Sequence, residues 1–174
     1  MKTDTTGLPR STAKPAKKPG KSAARRGRRL AREYVLRVLY AFELSRNPVP
    51  EIKEDLIVGK LLSEKNRDFA DRLIHCAIEH TPELDEWIRS KSRNWEFHRI
   101  AILDKLVLRM GLCELLYFED IPPKVTINEA IELAKKYSTE KSGVFVNGIL
   151  DAVLKELRET RRLRKSGRGL LEGS

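Results

Sequence analysis

Little in this sequence is equipped for chemistry. It has two cysteines, three histidines and 6% aromatic residues. No C-x-x-C or H-E-x-x-H spacing occurs among them, so no metal-ligand motif is present. Cys76 and Cys113 each fall inside an apolar helical pattern and read as buried thiols of a reducing compartment, not as a disulfide framework. His75 and Cys76 are adjacent, point to different sides of a helix and form no nucleophile–base pair. The ten glycines are scattered, and none opens a helix after a strand as a phosphate-cradling loop requires. No apolar run reaches membrane-spanning length; the nearest, 100–118, is broken by Asp104, Lys105, Arg109 and Glu114. A signal-peptide hydrophobic region is missing too. No period-two alternation survives, which removes strands. These absences predict a cytoplasmic, non-enzymatic, all-α protein without metal or cofactor.

What the chain does have is basic charge, unevenly spread. Residues 1–32 hold eleven Lys/Arg against one acidic residue, and 155–174 hold seven against three. The middle, 33–154, carries 17 basic and 21 acidic residues. A mildly acidic body with cations at both ends points to an anionic partner reached by arms, most often nucleic acid. Residues 1–24, rich in Lys, Pro, Ser, Thr and Ala, have almost nothing to bury and are predicted disordered.

From Arg25 the text reads RRGRRLAREYVLRVLYAFELS, a basic arm running into a helix that Asn47-Pro48 ends. At about 100° per residue, Ala31, Tyr34, Val35, Val38, Ala41 and Phe42 share a core stripe. Leu36, Tyr40 and Leu44 fall opposite, so that side either packs on another part of the chain or meets a partner. A second pattern starts at Pro50 (Ile52, Leu56, Ile57, Leu61). Asn66 is expected to cap a third, and Thr81-Pro82 a fourth with Leu84, Trp87 and Ile88 inward. Trp95 and Phe97 lie in a break, near 92–98, between two helical subdomains.

The segment 100–118 predicts the most apolar helix, with Asp104, Lys105 and Arg109 opposite a wide stripe. Glu114 falls near the middle of that stripe. A buried lone carboxylate is costly, so it needs a basic partner, helix-terminal amides or a wet groove. Residues 122–157 then read as a helical hairpin. Thr126 and Glu129 have the spacing of a capping box, the turn is Ser-Thr-Glu-Lys-Ser-Gly, and Gly148 costs ~1 kcal/mol relative to Ala unless it admits a close neighbour. Ile127, Ile131, Val146, Ile149, Leu150 and Val153 are its expected core.

The Arg cluster remains as the functional signal. Arginine forks pair with phosphates and stack on bases, and no helix-turn-helix, zinc module or zipper is there to seat a reader in duplex DNA. RNA ranks first.

Three pieces together carry a resemblance. They are the arginine arm running into LRVLYAFELS (36–45), LRMGLCELLYF (108–118) and PPKVTINEAIELAKKYSTEKSGVFVNGILD (122–151). Over about residues 23–158 the chain resembles the NusB family of bacterial transcription antitermination factors. The resemblance implies a seven-helix protein of two subdomains, about 25–92 and 98–158, without catalysis, flanked by a basic extension and a flexible basic tail from 159. It implies pairing with NusE, a small-subunit ribosomal protein. It implies binding of single-stranded boxA-type RNA in nascent rRNA operon transcripts, within a complex of other Nus factors and RNA polymerase. A homodimer is open within the family. The RNA-side positions fall on Arg25, Arg26, Arg28, Arg29, Arg32, Lys141 and Phe145, and the NusE-side positions on Tyr40 and Asp104. Lys141 stands where an acidic residue is commoner. The near relative sharing these motifs is the N-terminal domain of bacterial rRNA cytosine methyltransferases, and 174 residues leave no room for its catalytic part. The rival class is an RNA-binding module of rRNA modification or ribosome assembly.

Overall fold

The computed structural model describes residues 21–92 and 96–170, with side chains from Arg25 onward. Among these residues the structure is helical and without strands. The helices are α1 (Lys21–Ser45), α2 (Val49–Asp55), α3 (Ile57–Lys60), α4 (Glu64–Glu79), α5 (Thr81–Lys91), α6 (Ile102–Tyr117), α7 (Pro123–Tyr137) and α8 (Glu140–Glu159), with 3-10 turns at Phe97–Arg99 and Gly167–Leu170. The all-α expectation holds, with eight α-helices in place of seven because the second pattern divides. Leu56 is extended there (φ −89°, ψ 96°), and so separates α2 from α3.

The arginine arm is not a lead-in to α1 but its first turns. Lys, Ala and Arg are good helix formers, and the chain is helical from Lys21, the first described residue. The rest of the predicted extension (1–20) and Trp95 lie outside the described residues. α1 stops at Arg46, whose φ of 59° breaks the helical turn and whose N–H still donates to the Phe42 carbonyl.

α6 is the post around which the others stand, packing against α1, α4, α5, α7 and α8. Every residue from 106 to 115 is buried, so α6 has no solvated face. This corrects the expected polar side. Arg109 is buried, donating to Asp85 of α5 at 2.8 and 2.9 Å. Asp104, at 7% exposed, is buried too and accepts from Ser142 Oγ at 2.9 Å. An enclosed helix keeps polar side chains where a neighbour bonds them, as Asp85 does for Arg109 and Ser142 for Asp104 Oδ2, while Asp104 Oδ1 is buried without a hydrogen-bond partner among the described residues. One hydrophobic cluster runs from α1 to α8. Cys76 and Cys113 are buried in it, and burial pushes the Cys113 thiol far up, so it stays protonated.

Several local expectations change. α7 begins on Pro122-Pro123, with Pro123 at its first position, so Thr126 and Glu129 sit inside the helix and cap nothing. Ser63, not Asn66, precedes α4, and His80 precedes α5; Thr81 Oγ1 donates back to the Ala77 carbonyl instead. The turn before α8 is only Ser138-Thr139. Thr139 Oγ1 caps α8 by accepting from Ser142 N–H at 3.1 Å, which leaves Lys141 and Phe145 on helix. Gly148 has nothing within 4 Å of a notional Cβ. The close approach is at Gly111, where a Cβ would meet Leu150 Cδ1 at 2.9 Å.

The expected flexible tail also changes. The chain turns at Arg161 (φ 55°) and runs back to the end of α6. There Lys165 Nζ donates to the Glu114 and Phe118 carbonyls at 2.8 and 2.9 Å, and Ser166 N–H donates to the Glu119 carbonyl at 3.0 Å. A helix leaves its last carbonyls unpaired, and this strap supplies the donors.

Candidate nucleic-acid interface

The five arginines of α1 divide into two groups by partner. Arg32 is 4% exposed and makes a two-pronged pair with Glu114 (Nε–Oε1 2.7 Å, Nη2–Oε2 2.8 Å). Thr126 Oγ1 donates to the same carboxylate at 3.0 Å. The partner required for Glu114 is therefore Arg32, and Arg32 leaves the set of RNA-facing candidates. Burial disfavours its charge, but the charge and hydrogen bonds of Glu114 more than offset this and hold its pKa above the ordinary value. Arg29 donates to both oxygens of Glu129 at 3.0 and 3.2 Å, which raises its pKa as well.

The other three are not spoken for in this way. Arg25 is 77% exposed at its side chain and only grazes Glu129 at 3.9 Å. Arg26 is exposed. Arg28 lies over the Phe69 ring at 4.1 Å with no carboxylate paired to it. Burial and the neighbouring Arg32 charge pull its pKa below the usual arginine value. A cation held in that state is relieved by an incoming anion.

An unforeseen residue joins them. Arg72 of α4 lies over the Phe118 ring at 4.8 Å, and Phe118 meets Phe69 edge to face at 5.7 Å. Two buried rings thus carry two arginines on their outer sides. Only the i, i+3 spacing of Phe69 and Arg72 hinted at this in the sequence, and that spacing is common.

Lys141 and Phe145 occupy the first turns of α8, where Lys141 is exposed and Phe145 half-buried. α7 runs beside α1 and connects the two regions. Arg29 meets Glu129, and further on Glu33 accepts from Lys136 Nζ at 2.7 Å and Tyr137 Oη at 2.9 Å. From Glu129 to Tyr137 is eight residues, about 12 Å of helix. The arm and the start of α8 therefore sit toward the two ends of one α1–α7 edge.

The far end of α1 differs in character. Tyr40 is 37% and Leu44 62% exposed, whereas Leu36 of the same stripe is buried. On another side of this part of α1, Phe42, Glu43 and Arg46 line a cleft of about 460 Å³ with Ile78, Thr81, Pro82 and Arg109; neither Tyr40 nor Leu44 lines it. Of the two expected partner positions, Tyr40 is accessible and Asp104 is enclosed. Among the described residues no three His, Cys, Asp or Glu side chains gather as a metal site, and no helix is long and apolar enough to cross a membrane.

Residues 29–155 match the NusB family. The chain belongs to that family. It is similar to the transcription antitermination protein NusB of Salinibacter ruber, with 46% identity over 83% of this chain and 91% of the relative. The NusB of Chloroherpeton thalassium is 44% identical over 83% of this chain and 69% of that protein. Among solved structures, T. maritima NusB superposes with a TM-score of 0.68 at 40% identity, over 74% of this chain and 91% of that one. A chain of a structure described as antitermination factors NusB and NusE in complex with dsRNA superposes with a TM-score of 0.67 at 29% identity, over 75% of this chain and 98% of that one. The NusB match begins at Arg29 and ends at Lys155, so Arg25, Arg26, Arg28 and the strap 161–170 stand outside it.

Proposed function

We propose that this protein is a transcription antitermination factor. In this reading it binds boxA-type RNA of nascent rRNA operon transcripts together with NusE. As part of a complex with other Nus factors and RNA polymerase, it supports processive elongation and rRNA production, without catalysis of its own. The observation that carries the reading is the division of the α1 arginines: Arg29 and Arg32 are consumed by carboxylates, while Arg25, Arg26 and Arg28 remain for phosphate. Lys141 and Phe145, toward the other end of the α1–α7 edge, extend the RNA path. NusE is assigned to the exposed Tyr40 and Leu44. Asp104 serves that surface indirectly, by holding the start of α8 against α6.

The test is binding to a boxA RNA and to a structured rRNA fragment, each with and without NusE. Preference for boxA that strengthens with NusE supports the reading. Equal binding to both, indifferent to NusE, sinks it in favour of a ribosome-assembly role. Arg25→Gln/Arg26→Gln/Arg28→Gln should flatten the dependence of log K on log salt by about 2, three phosphate contacts at about 0.7 each on single strands, with helical content unchanged.

A further inference from the structure

The strap 161–170 is seated by its backbone. Ser166 N–H bonds the Glu119 carbonyl, and Gly169 presses so closely on that carbonyl that a Cβ would stand 2.0 Å from its oxygen. Its seat adjoins the arm. Lys165 bonds the Phe118 carbonyl, the Phe118 ring carries Arg72 and touches Phe69, and Phe69 carries Arg28.

Arg164 and Arg168 each lie two residues from Ser166, within about 7 Å of backbone. Both are exposed. Neither they nor Arg28 and Arg72 make an ion pair among the described residues. Arg162, by contrast, turns away over Trp87. Glu119 and Asp120 are the exposed acidic groups at the seat, and Glu114 beneath it is neutralised by Arg32.

We infer that the strap is a second phosphate-binding element, which prolongs the track of the α1 arm so that the protein holds RNA flanking the segment bound by the arm. The inference rests on the RNA-binding reading above. Uncommitted guanidinium groups at the joint (Arg28, Arg72) and on the strap (Arg164, Arg168) match a polyanion longer than a single site needs. Seating matters as much as charge, because fixed cations need not be ordered when the RNA arrives.

The experiment compares two RNAs on the full chain with NusE: the boxA element alone, and the same element lengthened at both ends with unstructured sequence. Wild type is expected to bind the longer RNA more tightly and with a steeper salt dependence. Arg164→Gln/Arg168→Gln should leave the short RNA unaffected. For the long RNA it should lower the slope by about 1.4, which is about 7-fold between roughly 50 and 200 mM salt. Gly169→Ala keeps every charge but unseats the strap, and should lose affinity for the long RNA only. Ser166→Pro, which removes the bonded N–H, is the second unseating variant. Long-RNA binding by Arg164→Gln/Arg168→Gln that equals wild type overturns the proposal. So does wild-type binding by both unseating variants, since the cations then act from a loose tail. Failure of wild type to bind the short RNA is a separate result, which removes the function proposed above.

Discussion

Replacing Arg32 with Ala is the sharpest test of how the α1 arginines divide. The side chains of Arg32 and Glu114 are 5% and 3% exposed, and the carboxylate takes three hydrogen bonds, two from Arg32 and one from Thr126. Arg32→Ala leaves a buried carboxylate with only a hydroxyl donor. Breaking one partner of a buried pair costs about 3–5 kcal/mol. For a folded body of this size that corresponds to a melting temperature lower by about 10–20 °C. Below its transition the variant should bind RNA with nearly wild-type affinity and salt dependence, because Arg32 does not reach solvent. The double variant Arg32→Met/Glu114→Leu removes both charges and should recover most of the lost stability, as apolar replacements of buried pairs often do. Thermal unfolding followed by circular dichroism, with RNA titration at low temperature, reads both quantities. An unchanged melting temperature accompanied by a collapse of RNA affinity would falsify the argument and return Arg32 to the interface.

Three further outcomes are expected. Gly148→Ala should raise stability by about 1 kcal/mol, since its Cβ meets nothing and Ala is the better helix former, while Gly111→Ala should lower it by forcing Leu150 aside; urea midpoints give both signs. Tyr40→Ala should reduce NusE affinity by tenfold or more while shifting the melting temperature by only a few degrees, whereas Asp104→Ala should destabilise the protein by removing the hydrogen bond that ties α6 to α8 at Ser142, whose hydroxyl keeps only Ser138 and Thr139 of its own turn. Burial opposes the Glu33 charge, but hydrogen bonds from Lys136 and Tyr137 outweigh it and hold the pKa below the ordinary 4.5. Its contribution is therefore complete above about pH 4.5 and lost as pH falls through the folded value. Glu33→Gln should flatten the acid limb of stability against pH, and an identical limb in wild type and variant refutes this.

The site was only partly legible in the sequence, and the misreadings share one cause. Helical periodicity assigns a direction to each side chain but cannot say how many neighbours a helix has. Periodicity gives α6 two faces, as on most surface helices; the helix is enclosed, so Asp104 and Arg109 are buried partners of Ser142 and Asp85. Arg25 to Arg32 look equivalent as letters, yet about two helical turns separate the arginines in solvent, Arg25 and Arg26, from one sealed against Glu114. The Thr126–Glu129 spacing satisfied a capping rule, but two prolines had already started the helix, freeing Thr126 for Glu114 and Glu129 for Arg29.

By itself the sequence determined the all-helical class, the stripes that fill the core, the location of the cations at the two chain ends and, through its three motifs, the NusB family. Each of these depends on local spacing or composition, which a linear text carries. The tertiary structure alone decided which cations remain for a partner, because that depends on carboxylates some 80 to 100 residues away, Glu114 for Arg32 and Glu129 for Arg29. It alone brought the strap beside the arm, through the free carbonyls at the end of α6 and two phenylalanine rings in contact. Charge is written in the sequence, but its availability follows from packing.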